Sequence, residues 1–221
     1  RQNLQAAWKF HTASTESIIG GILHMGEDAL IRLGDEGIGC NVTSSEDNFG
    51  DDNMTFRRVR GTITTPQYLI SPDESRSLMN RDDNGTPIFT KYSEIPFTLV
   101  IPKVLADNNM SGPIVVFGHG FMGTGESTIS GGSRAWTQAY NVSFLATDWY
   151  GWSNSDYGTV IDMLVDPAYF EYQSDRLQQA MINKISMIRT IKGVCSDIPE
   201  LYSGETKLVD TDEVYFMGYS L

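Results

Sequence analysis

The last ten residues, 212–221, constrain the fold of this 221-residue chain more than any other stretch. Their sequence, DEVYFMGYSL, predicts a buried strand over Glu213–Met217 that runs directly into the turn Gly218–Ser220. Together with Leu221, this turn matches the first four positions of G-x-S-x-G, in which a serine occupies a strained turn between a strand and a helix. Because a bare G-x-S is common by chance, its meaning depends on the strands and loops before it.

Composition excludes several classes of protein. The chain has 16 Lys and Arg against 28 Asp and Glu, and its net charge of −12 argues against a nucleic-acid partner. No apolar run approaches the roughly 18 residues that a membrane-spanning helix needs, so we predict no transmembrane segment. Cys40 and Cys195 are the only cysteines, which excludes a disulfide-dense scaffold and a Cys-based zinc site. The sequence is equally compatible with a disulfide between them and with two buried thiols.

Residues 1–53 are interpreted as a segment distinct from the rest of the chain. Ala6–Thr12 alternates aromatic and polar residues as a half-buried strand does, which predicts the tail of a preceding β-rich region. Ser17–Leu33 carries apolar residues at helical spacing, and Gly34–Asn53 is dense in Gly, Asp, Asn and Ser. These patterns predict a helix followed by a connecting loop. Residues 54–221 are expected to form the N-terminal part of an α/β domain.

Strand and helix patterns alternate along this second segment. Thr55–Leu69 and Glu94–Lys103 are rich in β-branched and aromatic residues and predict an antiparallel entry hairpin. The strands and helices after it alternate, which predicts an α/β fold with a parallel sheet and flanking helices. Tyr157–Phe170 has no clear period and is interpreted either as a lid over a pocket or as a packed insertion. The other predicted elements are strands Ile114–Phe117 and Val142–Thr147, helix Ser133–Tyr140, and helix Ser174–Lys192. Ser174 is the predicted N-cap of this last helix, which is expected to end at Gly193. Its predicted apolar face consists of Leu177, Met181, Ile185, Ile188 and Ile191.

Three loops with chemically informative residues follow three successive predicted strands. They are His119-Gly120-Phe121, Asp148-x-x-Gly151-x-Ser153 and Gly218-x-Ser220. In open α/β sheets, ligand-binding and catalytic groups collect at such strand ends. In content and order the three motifs resemble those of the α/β-hydrolase superfamily. Residues 6–12 and about 95–221 also resemble, more loosely, secreted or lipoprotein-type bacterial lipases and esterases.

The resemblance implies a role for each motif residue. Ser220 would be the nucleophile, and the backbone N–H groups of Phe121 and Leu221 would form the oxyanion hole that stabilises negative charge during acyl transfer. His119 would support the oxyanion loop and would not be the general base. No cofactor and no metal ion is implied. The remaining candidates are Gly120 in the oxyanion loop, Gly218 and Tyr219 in the elbow, and Met122, Asp148, Trp149, Tyr150 and Trp152 along the pocket.

A serine nucleophile also requires a base and an acid, which in α/β-hydrolases follow the serine along the chain. No residue follows Leu221 here, so we expect a piece of a longer protein, with the catalytic acid and histidine in a C-terminal half that is its partner. These 221 residues alone are then expected to be inactive.

The expected function is hydrolysis of small-molecule esters or lipids by an extracellular, periplasmic or cell-surface enzyme. Two alternatives remain open from the sequence. One is a serine peptidase of the same fold, and the other is a non-catalytic binding or adhesion module on this scaffold.

Overall fold

The computed structural model describes Lys9 and residues 12–220. The strand predicted over Ala6–Thr12 lies almost entirely outside the described residues, and Leu221 also lies outside them. The helices are α1 (Thr15–Leu33), α2 (Lys103–Asp107), α3 (Gly125–Ile129), α4 (Arg134–Tyr140), α5 (Tyr157–Val165) and α6 (Phe170–Lys192). The strands are β1 (Cys40–Asp47), β2 (Thr55–Gln67), β3 (Lys91–Pro102), β4 (Gly112–Gly118), β5 (Ser143–Ala146), β6 (Tyr202–Ser203), β7 (Thr206–Lys207) and β8 (Val209–Gly218). Short 3₁₀ turns cover Asn154–Asp156, Pro167–Tyr169 and Pro199–Leu201.

Six of these strands form one mixed sheet in the order β1-β2-β3-β5-β4-β8. One half is antiparallel, because β2 pairs with β1 and β3, and β3 pairs with β5. The other half is parallel, with β4 between β5 and β8. The predicted entry hairpin is confirmed as β2 and β3, and the predicted strands of the parallel part are confirmed as β4, β5 and β8. Strands β6 and β7 form a separate two-stranded ribbon.

Helices cover both faces of the sheet. Successive side chains along a strand point to opposite faces, and the apolar residues of β3 therefore pack in two different clusters. On one face, Phe97, Leu99 and Ile101 of β3 join a core cluster that α6 completes. On the other face, Val100 packs in a cluster with Ile129 of α3. A third cluster lies between α1, α6 and the chain after β2. The architecture is therefore a mixed α/β sheet with flanking helices.

The loop predicted over residues 34–53 is wrong, because it contains strand β1. This strand pairs with β2 in antiparallel register. Most of its side chains are exposed, since it forms the outer edge of the sheet. The polar composition of β1 therefore reflects its position at the edge of the sheet. From the sequence alone, the same composition indicates a loop. The predicted division between residues 53 and 54 falls between these two paired strands.

Helix α6 begins earlier than predicted. A 3₁₀ turn over Pro167–Tyr169 leads directly into the helix, and the Asp166 side chain accepts the first free N–H of that turn. Ser174, predicted as the N-cap, lies in the second turn and donates its hydroxyl to the Glu171 carbonyl oxygen. The predicted end at Gly193 is confirmed.

The face that α6 buries also differs from the prediction. Met181, on the predicted apolar face, is 47% exposed, whereas polar Gln179 and Lys184 are buried. These polar side chains bind backbone groups at strand ends. Gln179 accepts the Tyr68 N–H at 2.8 Å, and Lys184 Nζ donates to the Thr147 carbonyl oxygen at 2.7 Å. A polar buried face therefore follows from the position of the helix across strand ends, where backbone groups need partners.

Cys40 and Cys195 form a disulfide, with their Cα atoms 5.6 Å apart. The bond joins β1 to the chain just after α6, and Cys195 is buried in the main core cluster. Of the two states that the sequence allowed, the structure has the disulfide. None of the helices in the described part of the chain combines the length and apolar character that a bilayer crossing requires.

Candidate functional site

The turn after β8 brings Ser220 to the carboxyl end of the parallel half of the sheet. Gly218 of β8 lies opposite Gly118 of β4, and the Tyr219 N–H donates to the Gly118 carbonyl oxygen at 3.1 Å. Ser220 follows with φ of 61°, in the left-handed region that residues other than glycine rarely adopt. A serine in a strand-to-helix nucleophile turn is strained in this way. Ser220 therefore follows a parallel strand that pairs with the strand containing Ile114–Phe117.

The loop after β4 touches this serine through Gly120. A β-carbon at Gly120 would lie 3.1 Å from Ser220 Cβ and 3.6 Å from Ser220 Oγ. The next residue, Phe121, is 49% exposed, and none of the backbone hydrogen bonds of the loops in the described residues uses its N–H. Among the described residues, this N–H therefore has no hydrogen-bond partner. Its role as an oxyanion donor stays a prediction, as does that of Leu221, which lies outside the described residues.

His119 is fully buried, and both of its ring nitrogens are engaged. Nε2 accepts the Trp149 N–H at 2.8 Å, so Nδ1 carries the ring proton and donates it to the Gly120 carbonyl oxygen at 2.8 Å. Burial lowers the pKa of His119, which keeps the ring neutral. A ring held in this way has no free nitrogen to take a proton from Ser220. The geometry favours support of the loop over general-base catalysis.

A second loop, which follows β5, fixes the first. Met122 donates its N–H to the Trp152 carbonyl oxygen at 2.9 Å, and Asn154 donates to the Gly123 carbonyl oxygen at 3.1 Å. The rings of Phe121 and Trp152 are 4.6 Å apart. The two loops therefore form one unit, in which one member of the aromatic pair, Phe121, follows directly after Gly120.

A buried ion pair organises the loop after β5. Arg176 Nε lies 2.8 Å from Asp156 Oδ1, and the two side chains are 5% and 1% exposed. The other carboxylate oxygen accepts the Gly151 and Ser153 N–H groups at 2.9 and 3.1 Å and the Ser153 hydroxyl at 2.7 Å. The Arg176 guanidinium also lies over the Tyr150 ring, 4.8 Å from its centroid. Sequence analysis missed this pair, because its members are 20 residues apart and belong to no local motif.

The predicted pocket residues have several different roles. Met122 and Trp152 join the two loops, as described above. Asp148 accepts the Gly125 N–H at 2.7 Å and lines a cavity of about 220 Å³. Tyr150 packs against two of the core clusters, which gives it a packing role. Trp149 lies against Phe216 of β8, with ring centroids 6.5 Å apart.

No second catalytic group stands out among the described residues. Apart from His119, the histidine they contain is His24, which belongs to α1 and lines a separate cavity of about 480 Å³. Within residues 9 and 12–220, no group of His, Cys, Asp and Glu is arranged to hold a metal ion. One unusual group was missed by sequence analysis: Lys184, buried under the loop after β5. Ala180 and Met187 lie one helical turn before and after Lys184, on the same face of the helix. A lysine on a face with such small or apolar neighbours is the sequence signal that could have identified it.

No protein-family model matches the chain, and no curated protein matches it. Among solved structures it is similar to the crystal structure of a "putative acetyl xylan esterase" from Bacteroides fragilis, with a TM-score of 0.46 and 11% sequence identity. The match covers 99% of this chain and 52% of that one, so this chain spans about half the length of that protein. A likeness at this level does not decide function.

Proposed function

We propose that this chain is part of a serine-dependent carboxylic-ester hydrolase of the esterase or lipase type, with Ser220 as the nucleophile. Ser220 Oγ attacks the ester carbonyl carbon while a base takes its proton, and the alcohol leaves with that proton. Water then hydrolyses the acyl-enzyme and releases the acid. The Phe121 and Leu221 N–H groups are proposed to stabilise the oxyanion that forms in both steps.

The conformation and position of Ser220 carry this proposal. The residue is left-handed, follows a parallel strand and contacts the backbone of Gly120. Backbone strain of this kind costs about 1–3 kcal/mol and is concentrated at functional sites. A G-x-S that occurs by chance needs neither this strain nor a neighbouring loop with a free N–H. The combination therefore supports an activated serine.

The base and the acid are proposed to lie outside the described residues, downstream of Ser220, as the resemblance implies. The arrangement of His119 supports this assignment, because both of its nitrogens are engaged by Trp149 and Gly120. A histidine from elsewhere is then needed to deprotonate the serine.

The surface around the serine supports an ester with an apolar acyl group as substrate. Phe121, next to Gly120, and Tyr219, next to Ser220, are 49% and 63% exposed. Exposed aromatic side chains bind apolar groups well. The disulfide between Cys40 and Cys195 supports the further proposal of an extracellular, periplasmic or cell-surface location, because such bonds persist in oxidising compartments.

The test is an ester-hydrolysis assay on the protein produced from its complete gene. Substrates are p-nitrophenyl esters from acetate to palmitate, assayed beside peptide p-nitroanilides. The variants are Ser220→Ala and, as a matched control, Ser44→Ala, which makes the same change on β1 at the opposite edge of the sheet. We expect hydrolysis of esters, loss of almost all turnover in Ser220→Ala, and no change in Ser44→Ala.

Three outcomes would contradict the proposal. Faster cleavage of anilides than of esters would indicate a peptidase. Equal turnover by Ser220→Ala and wild type would exclude this serine as the nucleophile, and no turnover by any form would favour a binding module. In addition, we expect the 221 residues alone to show no Ser220-dependent turnover. If they did, the base would be in this chain, and His119→Ala would be the next variant to assay.

A further inference from the structure

Lys184 is an unusual residue because a charged side chain is almost completely buried. It lies in the middle of α6 and is 4% exposed. Its Nζ donates to the Thr147 carbonyl oxygen at 2.7 Å, and no carboxylate of the described residues lies within ion-pair distance. Burial lowers its pKa to about 7, and the nearby charge of Asp148 acts in the opposite direction. Burying an ammonium group without a close counter-ion is unfavourable, so another interaction must account for its position.

Besides the Thr147 carbonyl oxygen, Lys184 contacts the indole of Trp149. Nζ lies over the ring, 4.8 Å from its centroid, in the geometry of a cation–π interaction. The ring also approaches β4 closely, since a β-carbon at Gly118 would be 2.9 Å from Trp149 Nε1. Nε1 is buried and has no hydrogen-bond partner among the described residues. The position of this ring is therefore costly, and the ammonium group offsets part of that cost.

Trp149 in turn leads to the loop that touches Ser220. Its backbone N–H donates to Nε2 of His119, and Nδ1 of His119 donates to the Gly120 carbonyl oxygen, both at 2.8 Å. Gly120 contacts Ser220, as described above. A continuous series of contacts therefore joins a buried cation on α6 to the proposed oxyanion loop.

We propose that Lys184 is a positioning residue, which fixes Trp149 and, through His119, the loop that carries Phe121. The catalytic role of that loop rests on the proposed function. The effect of Lys184 on the position of the loop does not depend on it. Lys184 touches neither the serine nor the substrate-binding surface. Its effect is exerted on the geometry of the N–H donor, and a displacement of about 1 Å in such a group can reduce a rate about 100-fold.

Replacement by methionine separates positioning from a purely structural role. Methionine is similar in length and apolar, so Lys184→Met removes the charge from the core without leaving a large cavity. We expect this variant to fold. A folded lysine with a pKa of about 7 takes up a proton on unfolding between about pH 7 and its usual value of 10.5. The stability of the wild type should therefore rise with pH across this window, and Lys184→Met should remove that rise.

The experiment is ¹⁹F NMR of protein labelled with 5-fluorotryptophan, recorded from pH 5.5 to 9. The resonances of Trp149 and Trp152 are assigned with Trp→Phe variants, and Trp152 reports on the loop because its ring packs on Phe121. The variants are Lys184→Met, Lys184→Arg and the control Lys192→Met. Lys192 also lies on α6 and also donates to a backbone carbonyl oxygen, that of Asp212 at 2.6 Å, but it is exposed.

In the wild type we expect the Trp149 resonance to titrate with a midpoint near pH 7. Lys184→Met should abolish the titration and shift the Trp152 resonance at every pH. Lys184→Arg should keep the low-pH position of both resonances up to pH 9, because arginine stays charged. Lys192→Met should behave as wild type. Other ionisable groups near this site are His119, Asp148, Asp156, Tyr150 and Arg176.

Two results would overturn the proposal. If titration of Trp149 persists in Lys184→Met, it arises from another group, with His119 the first to examine. If Trp152 does not shift in Lys184→Met, the lysine does not act on the loop. In the complete protein, Lys184→Met should lower kcat for esters about 100-fold with little change in KM. If wild type shows no Ser220-dependent hydrolysis but Trp152 shifts as expected, the proposed function fails and the positioning role stands.

Discussion

Loss of the disulfide between Cys40 and Cys195 should destabilise the fold by a predictable amount. The two residues are 155 positions apart, and the bond limits the conformations of the unfolded chain. The loop-entropy treatment gives about 5 kcal/mol for a closed loop of this size. Since domains are stabilised by only about 5–15 kcal/mol in total, this is a third or more of the expected stability.

The measurement is urea unfolding followed by circular dichroism, on oxidised and reduced wild type and on the double variant Cys40→Ala, Cys195→Ala. Reduction keeps both sulfur atoms in the core and therefore isolates the effect of the cross-link. With a urea dependence of about 2.5 kcal/mol per M, a loss of about 5 kcal/mol lowers the midpoint by about 2 M. The double variant should lose somewhat more, because Cys195 is buried and alanine leaves a small cavity.

The double variant also provides the control, since reductant should leave its midpoint unchanged. Mass spectrometry under non-reducing conditions must first show that the bond is present in the wild type. With the bond intact, a difference below about 1 kcal/mol between oxidised and reduced protein would refute the entropy reasoning. The unfolded chain would then already hold β1 near the end of α6.

Two further predictions concern the end of the sheet that carries the serine. Gly120→Ala should lower Ser220-dependent turnover of the complete protein about 100-fold, because its β-carbon would lie 3.2 Å from the Tyr219 carbonyl oxygen and displace the loop. Gly132→Ala, where a β-carbon meets open space, is the control, and equal turnover by both variants would contradict the predicted contact. The chain of 221 residues should self-associate through β8, an edge strand with Tyr215 and Phe216 58% and 56% exposed. Light scattering should show oligomers that Phe216→Lys disrupts, and a wild-type monomer at high concentration would refute the prediction.

The elements that were predicted correctly are those that depend on residues close together in the sequence. The entry hairpin, the strands of the parallel half and the end of α6 at Gly193 all follow from patterns within a few residues. The place of Ser220 after a parallel strand also follows, because the apolar run before Gly218 has the length and composition of a buried strand.

The elements that sequence analysis missed depend on contacts with distant parts of the chain. Strand β1 has the composition of a loop and becomes a strand because β2 pairs with it. The polar buried face of α6 is set by unpaired backbone groups of other elements, such as the Thr147 carbonyl oxygen that Lys184 binds. The ion pair of Asp156 and Arg176 likewise joins a loop to a helix. In each case the partner is far away in the sequence, so the local residues alone do not identify it.

The disulfide divides the chain into a covalent ring and two outer segments. The ring runs from Cys40 to Cys195 and contains β1 to β5 and α6, whereas α1 and β8 lie outside it. If a pulling force were applied to the two ends of the chain, the disulfide bond would transmit it from Cys40 to Cys195. The residues between these two cysteines would then carry no tension. The force would act first on the outer segments, and among the described strands β8 is held in the sheet by β4 alone. Among the described strands, the one that leads to the serine therefore lies outside the ring, while the Gly120 loop that the serine contacts lies inside it.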